Sequence, residues 1–266
     1  MSIYKKIVIV GLIVLYSFAL NAQGEKNTAL GIPKAKTKLK AKNEFIINRE
    51  QYTLSYNSML NSANWASWYV SNDSYGKVKR YKGKFISDTT LPISFTTVTH
   101  SDYTNSGYDR GHIVRSKERS KTIEDNKSTF ILSNIIPQTP DLNRGIWLKL
   151  EKYCKKLCFS NNKQLFIIAG GKYSKKPDKI NNKIAIPDSC WKVILILDKD
   201  NDINNIDTSA QIIAVMQPNI NGIRDDDWQK YITTARKIER STGYNFFSNI
   251  DPKIQNVIEK RKYYIE

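Results

Sequence analysis

The segment YDRGHIVRS, residues 108–116, places a carboxylate, a guanidinium and an imidazole within four consecutive positions. His112 in this segment is one of only two histidines in 266 residues. A neutral imidazole, with an ordinary pKa of about 6.5, accepts a proton near neutral pH, so the segment has the composition of a general-base site. The alternative is a polar turn in a basic protein. The other histidine, His100, has no such neighbours and is interpreted as structural or exposed.

A second group of polar residues follows in STFILSNIIPQTPDLNRGIWLKLE, residues 128–151. Here Asn134, Asn143 and Glu151 interrupt largely apolar sequence, and Asn143 lies 31 residues after His112. An asparagine is often a helix cap or a buried turn amide, and a helical glutamate often faces solvent. Both interpretations stay open at this point.

The element that carries Asn143 and Glu151 is predicted to be a helix. Apolar residues recur at three- and four-residue steps over 142–157, and Asp141 precedes them as a possible cap. Glu151 lies eight residues beyond Asn143, which is about two helical turns. Both side chains are therefore expected to face one cleft, while apolar neighbours such as Trp147 face the core.

The remaining sequence predicts an α+β fold, because strand-like and helical segments are mixed without regular βαβ alternation. Helices are expected from about Asp226 to Ser241, with a stop at Gly243, and after Asp251-Pro252. Runs rich in Ile, Val and Phe predict strands at 130–136, 165–169, 191–197 and 211–216.

The N-terminus has the pattern of a cleaved signal peptide over residues 1–22. Lys5 and Lys6 precede an apolar run from Ile7 to Leu20, and Ala22 follows. An uncleaved N-terminal anchor is the alternative. No later segment has the roughly 20 apolar residues that a spanning helix needs, so we expect a secreted or periplasmic protein without integral membrane association after cleavage.

Residues 23–42 are interpreted as a flexible basic linker, and residues 43–266 as one domain. Residues 1–42 contain eight lysines and one glutamate, so the later residues keep +10 of the total net charge of +17. A domain with this excess attracts polyanions such as nucleic acid. A basic surface that only confers solubility is the alternative.

Three cysteines leave an odd count for an exported protein. Cys154 and Cys158 lie one helical turn apart, which is awkward for a mutual disulfide, so either is expected to pair with Cys190 while the other stays free. The spacing lacks the paired short gaps of zinc sites, and a catalytic thiol is not expected.

Taken together, the polar segments resemble a known family. DRGH, followed by LSN, PQ, LNRGIW and LE, resembles the signature of the DNA/RNA non-specific endonucleases, the ββα-metal or His-Me finger nucleases. KRYKGKF, FIIAGGKY, IPDSCWKVIL and IERSTGYNFF also have counterparts in the family's order, and the similarity covers most of residues 43–266. It implies a ββα-metal fold, with a mixed or antiparallel sheet flanked by helices.

The resemblance implies a metal-dependent phosphodiesterase site. His112 corresponds to the general base that activates water, and Asn143 to the ligand of Mg²⁺, with Mn²⁺ or another divalent cation as alternatives. A hard cation of this kind prefers oxygen ligands and keeps several waters. Glu151 is assigned to the water shell of the metal, and the alternative is a solvent-facing glutamate paired with Lys155. Asn134 is assigned a place near the active centre, with a buried turn amide as the alternative.

Two arginines are expected to stabilise the negative charge of the phosphate. Arg110 belongs to the signature, and Arg80 corresponds to an upstream phosphate-binding arginine. The chain departs from the family pattern at Lys155, where some members have an arginine, and in IVRSKERS, which replaces an apolar-proline version. This second segment either extends the nucleic-acid track or is a charged loop.

The implied substrates are DNA and RNA, cleaved with little sequence preference to give 5′-phosphate products. Contacts made mainly to phosphates carry no base identity. The alternative is a secreted nucleic-acid-binding protein that has the fold but no activity. A basic envelope-binding protein is a third hypothesis, which the polar signature disfavours.

Overall fold

The computed structural model describes residues 24–264 and has a six-stranded antiparallel sheet at its centre. In chain order the strands are β1 (Lys34–Ala35), β2 (Phe45–Asn48), β3 (Thr53–Asn57), β4 (Ser62–Val70), β5 (Asp109–His112), β6 (Ile135–Gln138), β7 (Lys163–Lys172), β8 (Lys179–Ile180), β9 (Ile184–Ala185), β10 (Ser189–Asp198), β11 (Gln211–Pro218) and β12 (Tyr244–Asn245). The spatial order in the central sheet is β11-β10-β7-β4-β3-β2, and the described residues also form the two-stranded ladders β1-β12, β5-β6 and β8-β9.

Both faces of the central sheet are covered, so its inner strands are near-continuous apolar runs rather than alternating ones. One face packs against the helix that follows residue 146, through side chains that include Trp68, Ile167, Ile194 and Ile213. The other face packs against the C-terminal helices, through side chains that include Trp65, Phe166, Trp191 and Ile212.

The predicted helices are present, with two changed boundaries. The α-helix predicted from residue 142 begins only at Trp147, after a π-type turn over Leu142–Ile146, and Asp141 makes no side-chain capping hydrogen bond. The helix predicted at 226–241 is a short 3₁₀ turn at Trp228–Tyr231 followed by a separate α-helix. This α-helix begins where the Thr234 side chain accepts a hydrogen bond from the Lys237 amide, and it ends at Gly243, which has φ of 77°. Residues 24–28 are helical, and the α-helices that follow are α1 (Lys38–Ala41), α2 (Ile123–Ser128), α3 (Trp147–Ser160), α4 (Ala235–Thr242) and α5 (Pro252–Ile258).

The predicted α+β class is confirmed, and three of the four strand predictions lie within β7, β10 and β11. The strand predicted at 130–136 is wrong over most of its length. Residues Leu132–Asn134 form a 3₁₀ turn, and β6 begins only at Ile135. The turn forms because the amide of Asn134 points into the interior, where it hydrogen-bonds the backbone of Val114.

The predicted flexible linker at 23–42 is packed against the domain over its described part. Leu30 is only 5% exposed, and β1 pairs with β12 near the other end of the chain. Two of the lysines that suggested a linker contact aromatic rings: Nζ of Lys40 lies 4.7 Å from the Tyr244 ring centroid, and Nζ of Lys26 lies 5.1 Å from that of Tyr69. Strand pairing through the backbone needs no apolar pattern, so composition alone was misleading here.

The predicted signal peptide at residues 1–22 lies outside the described residues. Within 24–264 we find no helix that is both long enough and apolar enough to cross a membrane.

Candidate active site

Two short strands and one helix position the polar residues of the signature. β5 and β6 pair antiparallel, with His112 opposite Ile135 and Gly111 opposite Ile136. Arg110 and His112 lie on the same side of β5, because side chains alternate along a strand. Gly111 separates them where a Cβ atom would lie 2.2 Å from Oε1 of Gln138, so a larger residue does not fit.

The chain reaches α3 through a tight π-type turn, Leu142–Ile146, which carries Asn143. Gly145 breaks the helical backbone with φ of −103° and ψ of −109°. A Cβ atom there would lie 2.6 Å from the carbonyl oxygen of Arg224. The kink therefore depends on glycine, and it sets the position of Asn143 relative to Glu151 on α3.

A cleft of about 600 Å³ brings together most of the expected site residues. Asn134 is the exception, because it does not line the cleft. The lining residues are Arg80, Arg110, His112, Arg115, Ser116, Lys117, Asn143, Arg144, Leu148, Glu151, Lys152 and Lys155.

His112 lies in an apolar setting at the base of the cleft and is 9% exposed. The ring centroids of Phe130 and Phe85 lie 4.8 and 5.4 Å from that of the imidazole. Burial and the nearby charge of Arg80 lower the pKa of His112 to about 3, against a hydrogen bond with the Arg110 backbone. Nε2 has no hydrogen-bond partner among the described residues. The imidazole is thus neutral, with an unoccupied proton acceptor.

Asn143 is oriented by Asp109, the first residue of β5. Nδ2 of Asn143 donates to Oδ2 of Asp109 at 2.8 Å. Arg144 holds the same carboxylate by two bonds, of 2.7 Å from Nε and 2.5 Å from Nη2. Because Nδ2 is engaged, Oδ1 of Asn143 is left as an acceptor, and within residues 24–264 no group donates to it.

Glu151 is buried and pairs with Arg115, not with Lys155 as the alternative interpretation had it. Nε of Arg115 lies 3.0 Å from Oε2 of Glu151, and Nη1 donates to the Glu151 carbonyl at 3.2 Å. Burial raises the pKa of the Glu151 carboxyl, while Lys192 and then Arg115 oppose this shift.

Lys192 is a buried cation beneath the cleft that sequence reasoning missed. It is 1% exposed on β10, and Nζ lies 4.2 Å from the ring centroid of Trp147 and 5.5 Å from that of Trp68. Trp147 lies four residues from both Asn143 and Glu151. The only signal in the sequence was a lysine within an apolar strand.

The two expected phosphate-binding arginines are held at the cleft. Nη2 of Arg110 donates to the His100 carbonyl at 2.8 Å and to Oγ1 of Thr104 at 3.1 Å. Arg80 stacks over the Phe130 ring at 4.7 Å and donates through Nη1 to Oγ of Ser116. Both guanidinium groups keep further N–H donors that can bind an anion.

Asn134 and Arg119 serve the structure and do not line the cleft. Asn134 is fully buried; its Oδ1 accepts from Val114 N, and its Nδ2 donates to the carbonyls of Val114 and Thr129. Arg119 is 4% exposed and donates to the carbonyls of Gln51 and Tyr69. The segment IVRSKERS is therefore divided: Arg115 and Lys117 face the cleft, and Arg119 lies in the interior.

The cysteines are all free thiols, which contradicts the disulfide expected with Cys190. All three are buried. Burial raises the pKa of Cys154 and of Cys190 to about 12 and raises that of Cys158 further, so the thiolate form is suppressed.

The oxygen donors of the cleft fit a hard divalent cation. Oδ1 of Asn143 and the Glu151 carboxylate are the donor types that Mg²⁺ prefers. Within residues 24–264 there is no cluster of three or more His, Cys, Asp and Glu side chains suited to a metal. Two protein oxygen donors suit a cation that keeps most of its ligands as water.

Residues 32–253 match the family model described as DNA/RNA non-specific endonuclease. The chain belongs to the DNA/RNA non-specific endonuclease family. This match starts within the segment expected to be a linker. The protein is accordingly a nuclease, a hydrolase that acts on nucleic acids.

Curated relatives and a solved structure agree with this assignment. A nuclease of Nostoc sp. is 40% identical over 235 residues, which cover 87% of this chain and 84% of the relative. A nuclease of Serratia marcescens is 27% identical over 81% of this chain and 79% of its own length. A crystal structure of an EndoG/EndoGI complex has a TM-score of 0.73 at 23% identity and covers 90% of this chain and 96% of that one. It confirms the ββα-metal fold.

Proposed function

We propose that this nuclease is an exported, divalent-cation-dependent endonuclease that hydrolyses phosphodiester bonds of DNA and RNA, with His112 as general base. One observation carries the proposal: the unpartnered Nε2 of His112 lies in the same cleft as the oriented Oδ1 of Asn143. A base for water and an oxygen ligand for a cation are the two parts that hydrolysis of a phosphodiester requires.

His112 takes the proton of the attacking water on Nε2. The imidazole is neutral at every pH well above its pKa of about 3, so it is ready to accept a proton at physiological pH. Phe85 and Phe130 restrict the ring to one orientation. A base of such low pKa is weak in the free enzyme, and the negative phosphate of a bound substrate raises its proton affinity.

Asn143 and Glu151 would hold the cation, which we propose to be Mg²⁺. When bound, it would supply positive charge at the scissile phosphate and at the leaving oxygen. Asn143 would contribute Oδ1 directly, in the orientation that Asp109 imposes. Glu151 would accept hydrogen bonds from water bound to the cation, in the orientation that Arg115 imposes.

Arg80 and Arg110 bind the non-bridging phosphate oxygens and stabilise the charge that grows on them in the transition state. Asn134 contributes through the fold, because it holds the residues that follow His112.

Phosphate contacts such as those of Arg80 and Arg110 recognise the nucleic-acid backbone and not the bases, so sequence preference is slight and affinity falls steeply with salt. The products carry 5′ phosphates, and the N-terminal signal directs the enzyme to the periplasm or the exterior.

Plasmid degradation by the wild type and by His112→Ala, each with and without EDTA, tests this function. The wild type with Mg²⁺ should nick and then degrade supercoiled DNA, whereas EDTA or the substitution should abolish cleavage. Binding to DNA with no cleavage by the wild type would favour an inactive nucleic-acid-binding protein. Full activity of His112→Ala would reject His112 as the base.

A further inference from the structure

Arg115 contacts Glu151 through two of its three guanidinium nitrogens. Nε lies 3.0 Å from the carboxylate and Nη1 lies 3.2 Å from the backbone carbonyl of the same residue. Among residues 24–264, no group accepts a hydrogen bond from Nη2. The side chain is 17% exposed in the wall of the cleft. One N–H edge of the guanidinium is thus free on the substrate side.

Arg80 approaches the same place from another part of the chain. It donates to Oγ of Ser116, the residue next to Arg115. Arg80 and Arg115 line the same cleft. Burial is the main cause that lowers the pKa of Arg80; Glu151 opposes this shift, and the like charge of Arg115 adds to it. Two like charges in one cleft favour a further anion, because the single charge of Glu151 neutralises only one of them.

We propose that Arg115 is a positioning residue for Glu151 and, through Nη2, a phosphate-binding residue of the substrate track. The proposal rests on the proposed endonuclease function. Arg is suited to this double use because its planar fork binds two acceptors at once, whereas Lys offers a single point charge. Lys155, which also lines the cleft, contacts an aromatic ring instead, with Nζ 5.3 Å from the Phe159 ring centroid.

Binding without catalysis tests the phosphate contact. The His112→Ala protein in EDTA is titrated with a fluorescein-labelled oligonucleotide at several NaCl concentrations. Adding Arg115→Met should reduce the slope of log K against log salt by about 1. Adding Arg240→Met, an exposed arginine on α4 at the other face of the sheet, is the matched control and should leave the slope unchanged. Equal slopes for the His112→Ala protein with and without Arg115→Met would overturn the phosphate contact, even if the wild type proved inactive as a nuclease.

Steady-state kinetics test the positioning of Glu151. Arg115→Met should lower kcat about tenfold, the effect of losing a charge-assisted hydrogen bond, and should raise KM. The double variant with Glu151→Gln should have the kcat of Glu151→Gln alone but the raised KM of Arg115→Met. Multiplied kcat losses would overturn positioning. Arg115→Lys should recover KM more than kcat, and recovery of both would show that the fork is not needed.

Discussion

The carboxylate of Asp109 accepts a hydrogen bond from Nδ2 of Asn143 at 2.8 Å, and it accepts two further hydrogen bonds from Arg144. This contact determines which end of the Asn143 amide faces the cleft. Partners of this kind orient metal ligands, and their loss typically weakens metal binding.

Replacing Asp109 by alanine should therefore weaken the response to the cation more than the chemistry itself. We expect the Mg²⁺ concentration for half-maximal cleavage to rise about 10- to 100-fold, because the amide is free to rotate. Cleavage rates over a Mg²⁺ titration measure this. Asp198→Asn, at an exposed ion pair with Lys163, is the control. An unchanged Mg²⁺ requirement would contradict the role of Asn143 as a ligand of the cation.

The acid limb of the pH profile should report Glu151 rather than His112. Burial raises the pKa of Glu151 above 4.5 and lowers that of His112 to about 3, so Glu151 is the first of the two to gain a proton as the pH falls. The profile of kcat/KM should fall on the acid side at a pH above 4.5. In Glu151→Gln this limb should move to lower pH. If the acid limb lay near the ordinary pKa of histidine and stayed there in Glu151→Gln, it would instead report the titration of His112.

Lys192→Met should shift the same limb to higher pH. Lys192 provides the largest favourable charge for ionised Glu151, so its loss raises the pKa of that carboxyl further. Methionine fills the space between Trp68 and Trp147 but leaves ionised Glu151 with less compensating charge, so the midpoint of thermal unfolding at neutral pH should fall. Lys237→Met, at an exposed position of α4, is the matched control. A profile equal to that of the wild type would contradict this coupling.

Asn134→Ala should lower stability more than activity, whereas His112→Ala should lower activity more than stability. Asn134 satisfies three buried backbone groups, so its loss should lower the free energy of unfolding by about 2–4 kcal/mol. The folded fraction should keep more activity than His112→Ala, which loses the base but little stability. Urea unfolding and cleavage rates at low temperature give both quantities. A stable but inactive Asn134→Ala protein would place the amide in the chemistry.

The three thiols should be unreactive in the native protein. Their burial and raised pKa values suppress the thiolate that attacks thiol reagents. A disulfide reagent at pH 8 should label none of them in buffer and all three in guanidinium chloride, and a reducing agent should leave nuclease activity unchanged. Labelling of a single thiol in denaturant would indicate a disulfide.

Much of the cleft was predictable because its residues are close in sequence to elements with strong local signals. Asn143 and Glu151 lie on one apolar-patterned segment, so their spacing indicated a common cleft, and the family resemblance added His112, which ends the short strand β5. Arg80 lines the same cleft, although lysines surround it in the sequence. The fold class followed from the mixture of strand and helix patterns.

The errors concern pairings between distant parts of the chain. Asp109 and Asn143 are 34 residues apart, and no local pattern shows that they are hydrogen-bonded. The alternative interpretation of Glu151 placed its partner one helical turn away at Lys155, but the carboxylate pairs with Arg115 from a distant segment. Residues 23–42 have the composition of a linker, yet β1 is ordered through backbone bonds that do not depend on side-chain type.

The pairing of β1 with β12 has a practical consequence for recombinant production. Lys34 and Ala35 lie alongside Asn245 and Tyr244, so an expression product trimmed to residue 43 would lack part of its own fold. Affinity tags and protease-cleavage sites therefore belong ahead of residue 24, where their removal leaves this ladder intact.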